Sequence, residues 1–192
     1  CYNGATKGLM YMKWLVASDI HGSALFTRQL LERFRAEEAD RLLLLGDLLY
    51  HGPRNDLPEG YAPKEVIRLL NSVKGRIFCV RGNCEAEVDQ MVLEFPVLAE
   101  YALLEWNGHL IFATHGHHYN IQHPPLLQPG DILLHGHTHI PARETWGKDN
   151  RYWNPGSISL PKQGSARGYM MLEKTEAVWK DLDGKEYERE RV

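Results

Sequence analysis

The chain has few cysteines, no long apolar run and no basic cluster, and each absence narrows its function. Its 192 residues include three cysteines, at positions 1, 79 and 84. An odd number without paired spacing does not indicate a disulfide framework. No stretch approaches about 18 consecutive apolar residues, so the sequence predicts neither a membrane-spanning segment nor a membrane partner.

The charge pattern argues against an obligatory nucleic-acid partner. Net charge is −3, and no run of Lys or Arg is longer than a pair. A long polyanion would need a basic face. The N-terminal stretch CYNGATKGLMY lacks the charged and apolar regions of a signal peptide. We interpret residues 1–11 as a cloning remnant and 12–192 as a single domain, and we expect a cytoplasmic protein.

Two styles of secondary structure are predicted. The first half alternates strands with helices, which is typical of a parallel α/β layer. From about residue 101 onward, short strands separated by turns dominate. Two sheets packed face to face, with helices outside, accommodate both halves. The predicted strands of the first half are 13–18, 41–46 and 76–80, and the predicted helices are 23–38, Pro63 to about Val73, and 85–94.

Polar residues follow five of the predicted strands. In α/β sheets, ligands bind beyond the carboxyl ends of the strands, so these segments can deliver polar groups to one place. The segments are SDIHGS with Asp19 and His21, GDLLYHG with Asp47, RGNCE with Asn83 and Cys84, THGHH with His115, His117 and His118, and HGHTH with His135, His137 and His139.

The spacing and the residue types indicate metal binding. Asp19 and His21 are two residues apart, as are His137 and His139, and an extended chain places such pairs on one side. Carboxylate, imidazole and amide groups suit manganese, iron, zinc, nickel or cobalt better than calcium or magnesium. Seven ligands exceed one tetrahedral site and match two adjacent metals that share a bridging carboxylate.

Other histidines have an ordinary structural interpretation. His109, His118 and His123, taken singly, are expected to be surface or core residues. His135 stays ambiguous, because in an ideal strand it points away from the side that His137 occupies.

The ordered motifs D-x-H, G-D, G-N-x-[DE], H-G-H and G-H-T-H resemble the calcineurin-like metallophosphoesterase superfamily. The resemblance runs from residue 13 to about 160 and includes NPGS at 154–157. The stretch HGPRNDLPEGYAP, followed by RGNCEAEVDQM, is similar to the small bacterial phosphodiesterases of the YfcE type. The resemblance implies an α/β fold, a four-layer αββα sandwich of two mixed sheets with a dinuclear site at the carboxyl ends of the strands.

The same resemblance implies a role for each ligand. A hydroxide held between the two cations would be the nucleophile, and manganese is the metal we expect, with iron, nickel, zinc or cobalt also compatible. The implied ligands are Asp19, His21 and His139 for the first metal, Asn83, His115 and His137 for the second, and Asp47 as the bridge.

One position departs from the family pattern. Much of the superfamily has G-N-H-[DE], whereas this chain has Cys84 in place of that histidine. A thiol is a weak hydrogen-bond donor, so we expect Cys84 to be a poor proton donor for the leaving group. It could equally be a packing residue. His51, His117 and Arg81 are the other candidate catalytic residues near the substrate.

These observations predict a metal-dependent phosphodiesterase that acts on small phosphodiesters. The alternatives are a phosphomonoesterase or protein phosphatase with the same metal centre, for which Arg54 and Arg81 could supply extra positive charge, and a binding scaffold like the retromer subunit of this fold. A nuclease is disfavoured by the absence of a capping domain and a basic surface. Trp106, Trp146 and Trp153 could be core or could mark a homo-oligomer contact.

Overall fold

Residues 11–192 are described by the computed structural model, which contains two β-sheets and three α-helices in this range. The prediction for residues 1–11 therefore falls, apart from Tyr11, outside the described residues. In chain order the elements are β1 (Trp14–Ala17), α1 (Ala24–Ala36), β2 (Arg41–Leu44), α2 (Pro63–Asn71), a 3₁₀ turn (Lys74–Arg76), β3 (Ile77–Cys79), α3 (Glu87–Val92), β4 (Tyr101–Trp106), β5 (His109–Thr114), β6 (Ile132–His135), β7 (Pro141–Trp146), β8 (Asn150–Pro155), β9 (Gly168–Glu173), β10 (Glu176–Asp181) and β11 (Glu186–Arg191).

The first sheet has six strands in the order β11-β10-β9-β1-β2-β3. Strands β1, β2 and β3 run parallel, as the alternation of strands and helices predicts, and β9 to β11 extend the sheet in antiparallel fashion. Because the carboxyl ends of parallel strands lie at one edge, the loops after β1, β2 and β3 meet there.

The second sheet has five strands in the order β4-β5-β6-β8-β7. Its three central strands, β5, β6 and β8, run parallel, and the edge strands β4 and β7 pair antiparallel to their neighbours. This sheet accounts for the short strands expected in the second half of the chain. The predicted fold class, α/β with two mixed sheets, is confirmed.

The apolar core between the sheets contains two of the three tryptophans that the sequence left ambiguous. Trp153 is fully buried, with its ring 5.7 Å from that of Trp106 and 5.9 Å from that of Trp179. Trp106 is 6% exposed. The side chains of Trp106 and Trp153 are therefore core residues and do not mark a subunit contact. Trp146 is half-buried on the edge strand β7.

Helices α1 and α2 cover the outer face of the first sheet. Ser23 caps α1, since its hydroxyl accepts a hydrogen bond from the backbone N–H of Phe26 at 3.3 Å. The helices bury Phe26, Leu30, Leu31, Phe34, Val66 and Leu70 against strand residues that include Leu15, Ala17, Leu42 and Leu44. None of the helices in the described part has the length and apolar character that crossing a bilayer requires.

Within the described residues, the outer face of the second sheet is not covered by the helices that the sequence analysis expects. An irregular segment, 115–131, follows β5, and the Tyr119 ring lies 5.3 Å from that of Phe112 on this sheet. Pro124, Pro125 and Pro129 disfavour a helix in the second half of this segment, because proline removes a backbone donor and clashes with the preceding turn. The described part of the second sheet is thus covered on this side by irregular chain.

A half-buried ion pair joins α1 to the first sheet. The Glu37 carboxylate accepts a hydrogen bond from the Tyr169 hydroxyl at 2.6 Å and another from the Lys180 ammonium at 2.7 Å. Burial alone raises the pKa of Glu37, but the hydrogen bonds from Lys180 and Tyr169 outweigh it and lower the pKa below its ordinary value.

We expect Glu37→Gln to lower the free energy of unfolding at pH 7 by about 1–3 kcal/mol, because Lys180 loses its charged partner. The folded-state pKa is depressed, so this contribution is present above the unfolded carboxyl pKa of about 4.3 and is lost as the pH falls through the folded value. Urea unfolding at pH 7 and pH 3 measures both effects. Glu32→Gln, on the exposed side of α1, is the matched control. If Glu37→Gln lowered the free energy of unfolding equally at pH 7 and pH 3, the depressed pKa of Glu37 would be contradicted.

Candidate metal centre

The structure brings all seven predicted ligands to one edge of the two sheets. Each ligand follows the carboxyl end of a parallel strand, which is where α/β sheets bind ligands. Asp19 and His21 follow β1, Asp47 follows β2, Asn83 follows β3, His115 follows β5, and His137 and His139 follow β6.

The backbone at five of the seven ligands is left-handed rather than extended. The φ angles are +58° at Asp19, +48° at His21, +57° at Asp47, +66° at His137 and +62° at His139. The prediction that an extended chain turns each pair to one side was therefore wrong, although the pairs do converge. Each left-handed residue other than glycine costs about 1–3 kcal/mol, and such strain persists where the surroundings hold it.

The first group of ligands surrounds the Asp19 carboxylate. Asp19 Oδ1 lies 3.6 Å from His21 Nε2 and 3.3 Å from His139 Nε2. The two Nε2 atoms are 3.2 Å apart, and all three side chains are buried. Asp19 Oδ1 is itself buried and has no hydrogen-bond partner within residues 11–192.

The second group surrounds His115. His115 Nε2 lies 3.1 Å from Asn83 Oδ1 and 3.1 Å from His137 Nδ1. The Asp47 carboxylate lies between the two groups, with Oδ2 3.7 Å from His21 Nε2 and 3.4 Å from His115 Nε2. One carboxylate oxygen therefore faces an imidazole from each group.

Backbone carbonyls set the tautomers of three imidazoles. Nδ1 of His21, His115 and His139 lies 2.7–2.8 Å from the carbonyl oxygens of Tyr50, Leu45 and Leu160, respectively. A carbonyl only accepts, so each Nδ1 carries a proton and each Nε2 is left to bind a second proton or a metal cation. This is the arrangement that orients metal-binding histidines.

The charges in the site favour a bound cation. Burial lowers the pKa of His115, but the hydrogen bond to Asp47 and the charges of Asp19 and Asp47 outweigh it and raise the pKa to about 9. Burial raises the pKa of Asp19, yet contacts with His139 and His21 bring it well below its ordinary value. Two Nε2 lone pairs 3.2 Å apart repel each other unless a positive charge lies between them. The donor set therefore fits divalent transition metals.

Two glycines let the backbone approach the carboxylates. A Cβ on Gly82 would lie 2.2 Å from Asp47 Oδ1, and a Cβ on Gly136 would lie 1.9 Å from the Ser18 hydroxyl oxygen and 2.7 Å from Asp19 Oδ2. Any side chain at either position would displace a carboxylate or its surroundings.

Glu85 supports the site, and sequence reasoning gave it no role. It is 4% exposed, and its carboxylate accepts hydrogen bonds from the backbone N–H groups of Asp47 at 2.8 Å, Leu48 at 2.7 Å and Gly82 at 2.5 Å. Helix α3 begins at Glu87 rather than 85, and the Ala86 N–H before it donates to the Asp89 carboxylate at 2.8 Å. The fourth position of the motif G-N-x-[DE] was the available signal.

The NPGS segment holds the loops that carry the histidines and Asp19. The Asn154 amide donates to the Gly136 carbonyl at 2.9 Å and to the Thr138 hydroxyl at 3.0 Å. The hydroxyls of Ser157 and Ser159 donate to the Asp19 carbonyl at 2.8 and 2.9 Å. The sequence marked this segment as part of the motif, but its contacts depend on the fold.

A cavity of about 450 Å³ lies over the centre. Arg54 and Lys162 bring positive charge to it, and Asn55 adds an amide. Arg54 and Asn55 belong to the long irregular segment 50–62, and Lys162 follows the NPGS segment. The sequence offered Arg54 as a source of charge but contained no pattern that pointed to Lys162.

Of the four candidate catalytic residues, Cys84 lines this cavity. Its thiol lies 3.3 Å from Asp47 Oδ2 and donates to it, and burial together with the Asp47 charge raises the pKa of the thiol. His51, His117 and Arg81 do not line the cavity within the described residues. The His51 ring packs 5.4 Å from that of Tyr61.

The positions of His117 and Arg81 explain their separation from the cavity. His117 stacks 4.0 Å from the ring of His118, and burial lowers its pKa to about 4. The Arg81 guanidinium lies 3.5 Å from the Glu100 carboxylate. His135 is buried and stacks 4.4 Å from the ring of Tyr152.

Comparisons with known proteins agree with this geometry. The family model described as the calcineurin-like phosphoesterase superfamily domain matches residues 12–177. The chain is 47% identical over 162 residues to the phosphodiesterase YfcE of Escherichia coli strain K12. The aligned region covers 84% of this chain and 88% of that protein. The solved structure of YfcE, a phosphoesterase from E. coli, matches with a TM-score of 0.90 at 43% identity, covering 94% of this chain and 100% of that chain.

More distant solved structures share the fold. Vps29 from Entamoeba histolytica is 22% identical with a TM-score of 0.61, over 94% of this chain and 99% of that chain. An archaeal phosphodiesterase is 20% identical with a TM-score of 0.61, over 94% and 100% of the respective chains. Likeness at this level of identity shows the fold alone.

The Glu85 contacts generate a testable prediction. Glu85→Gln is expected to weaken divalent-metal binding by about 10–100-fold, because an amide nitrogen would face backbone donors that position Asp47. Isothermal titration of the chelator-treated protein with Mn²⁺ measures this, and Glu87→Gln on the exposed start of α3 is the matched control. Unchanged affinity in Glu85→Gln would show that these hydrogen bonds do not support the centre.

Proposed function

The chain belongs to the calcineurin-like phosphoesterase superfamily, and we propose that it is a metal-dependent phosphodiesterase that hydrolyses small phosphodiesters at a dinuclear centre. The proposed catalytic domain comprises residues 12–192. The family match begins at residue 12, and β11, at Glu186–Arg191, completes the first sheet.

The position of Asp47 carries the proposal. Its Oδ2 faces His21 Nε2 at 3.7 Å and His115 Nε2 at 3.4 Å, which suits a carboxylate shared by two cations. Asp19 with His21 and His139 would hold one cation. Asn83 with His115 and His137 would hold the other.

Two divalent transition metals suit these ligands, and manganese is the one we propose, with iron, nickel, zinc or cobalt as compatible substitutes. When bound, such cations lower the pKa of water to about 7, so that hydroxide is available as the nucleophile, and they neutralise charge on the phosphoryl oxygens. Two carboxylates against two divalent cations leave a positive site that attracts a phosphate anion.

The protein's own residues orient the metal ligands and bind the substrate. The carbonyls of Tyr50, Leu45 and Leu160 keep three imidazoles in one tautomer and one direction, so the ligands do not reorganise during the reaction. Arg54 and Lys162 line the cavity over the centre, where they can bind phosphate oxygens or an anionic part of the substrate.

Cys84 favours diesters with good leaving groups. Its thiol is the group that lies where much of the family has a histidine, and a thiol donates hydrogen bonds weakly. A leaving alcohol would gain little help from it. Hydrolysis is therefore expected to be fastest for substrates whose leaving group needs no proton, and slow for monoesters, which carry an additional negative charge.

The first test compares a diester with a monoester. After chelator treatment and addition of Mn²⁺, we expect fast hydrolysis of bis-p-nitrophenyl phosphate and slow hydrolysis of p-nitrophenyl phosphate. Asp47→Asn should lower kcat/KM for the diester by more than the 10–100-fold typical of residues that only support a ligand. Asp149→Asn, in an exposed turn, is the matched control.

Each other outcome points to a different function. Preference for the monoester would indicate a phosphatase that uses Arg54 and Lys162 to neutralise the added charge. An absence of activity with Mn²⁺, Ni²⁺, Co²⁺, Fe²⁺ and Zn²⁺ in protein that binds two metals would indicate a scaffold. Full activity of Asp47→Asn would overturn the dinuclear assignment.

A further inference from the structure

A second cavity adjoins the metal centre. It has a volume of about 390 Å³ and shares His137 and Thr138 with the cavity that contains Arg54 and Lys162. A phosphodiester carries two alcohol groups on one phosphorus, so a substrate whose phosphate lies at the centre extends in two directions. Two cavities that meet at a metal ligand offer a place for each alcohol.

The lining of the second cavity suits an organic group. Four apolar residues form one part of it, Asn120 and Gln122 add amides, and the buried Tyr152 ring stacks on His135 at 4.4 Å with an angle of 27°. Apolar and aromatic walls combined with placed polar groups are typical of small-molecule sites. The apolar residues are Ile121, Ile140, Pro141 and Ala142.

His135 contributes a hydrogen-bond acceptor to this lining. Its Nδ1 lies 3.0 Å from the Gly136 carbonyl oxygen, which only accepts, so Nδ1 carries the proton. The remaining nitrogen, Nε2, is the atom that His135 can offer to a ligand hydroxyl or amine.

The two cavities differ in charge. Glu144 lines the second cavity, and the strand register places it opposite Tyr152. No lysine or arginine within residues 11–192 lines this cavity, whereas Arg54 and Lys162 line the first. An anionic group is therefore repelled from the second cavity and attracted to the first.

We propose that the second cavity is a substrate subsite that binds one alcohol arm of the diester and selects an arm without negative charge. The proposal rests on the proposed function, since it concerns the two arms of a phosphodiester at the same metal centre. The substrate class is then a diester in which at least one alcohol is neutral or cationic, and a diester with an anionic group on both arms is disfavoured.

Binding of a substrate arm in the second cavity is tested with a substitution that narrows this cavity in the metal-loaded full chain. Bis-p-nitrophenyl phosphate has two identical arms, so one ring occupies the second cavity whichever arm leaves. Ile121→Trp is expected to raise KM for this diester at least about fivefold, with metal content unchanged and kcat within about twofold. Leu126→Trp, in the same irregular segment but fully exposed and outside the cavity, is the matched control.

Charge selection is tested with symmetric inhibitors. Bis(2-trimethylammonioethyl) phosphate and bis(carboxymethyl) phosphate compete with bis-p-nitrophenyl phosphate, and each presents the same charge in either orientation. We expect Glu144→Lys to shift the ratio of their inhibition constants about tenfold in favour of the carboxylate compound. Arg143→Glu, the neighbour that contacts Glu188 and lies outside this cavity, is expected to leave the ratio unchanged.

The outcomes separate this inference from the proposed function. Metal-loaded wild-type protein that fails to hydrolyse bis-p-nitrophenyl phosphate would overturn the proposed function. Hydrolysis with an unchanged KM in Ile121→Trp and an unchanged inhibitor ratio in Glu144→Lys would overturn the subsite alone. A lowered kcat with lost metal in Ile121→Trp would show a distorted centre, and an unchanged Glu144→Lys ratio would then also overturn the subsite.

Discussion

Left-handed backbone at the ends of the parallel strands is the constraint on which this site depends. Asp19, Asp47 and His139 hold such φ values, and each is unfavourable for a residue with a side chain. Buried hydrogen bonds offset that cost. Glu85 binds three backbone N–H groups around Asp47, and the Ser157 hydroxyl binds the Asp19 carbonyl. The strain, and the network that holds it, bring the carboxylates and imidazoles of the candidate metal centre together.

The polar interior of the site is balanced by charge rather than by internal pairing. Asp19 Oδ1 is buried without a hydrogen-bond partner in the described part of the chain, and the lone pairs of His21 and His139 face each other. A buried carboxylate without compensation is costly. Positive charge at this point compensates both the unpaired oxygen and the close approach of the two nitrogens, so the donor set favours a bound cation.

The covering of the second sheet connects the fold to substrate choice. Segment 115–131 is irregular, with three prolines in its second half, and Ile121 from this segment forms one wall of the second cavity. The edge strand β7 supplies Glu144 from the other side. Irregular chain in place of a helix thus leaves room beside His137, while Arg54 from another irregular segment gives the first cavity its opposite charge.

Local pattern in the sequence predicted the two-sheet fold class and the polar residues that the fold brings together as a candidate metal centre, because strand periodicity and polar residues at strand ends are short-range features. Long-range geometry decided the rest. His21 and His139 are 118 residues apart, and only the paired sheets bring their nitrogens within 3.2 Å. The directions of five of the seven ligands follow from left-handed turns that the extended-strand rule did not anticipate. The anchoring by Glu85, the cation of Lys162 and the second cavity likewise depend on contacts between distant segments, which no local spacing encodes.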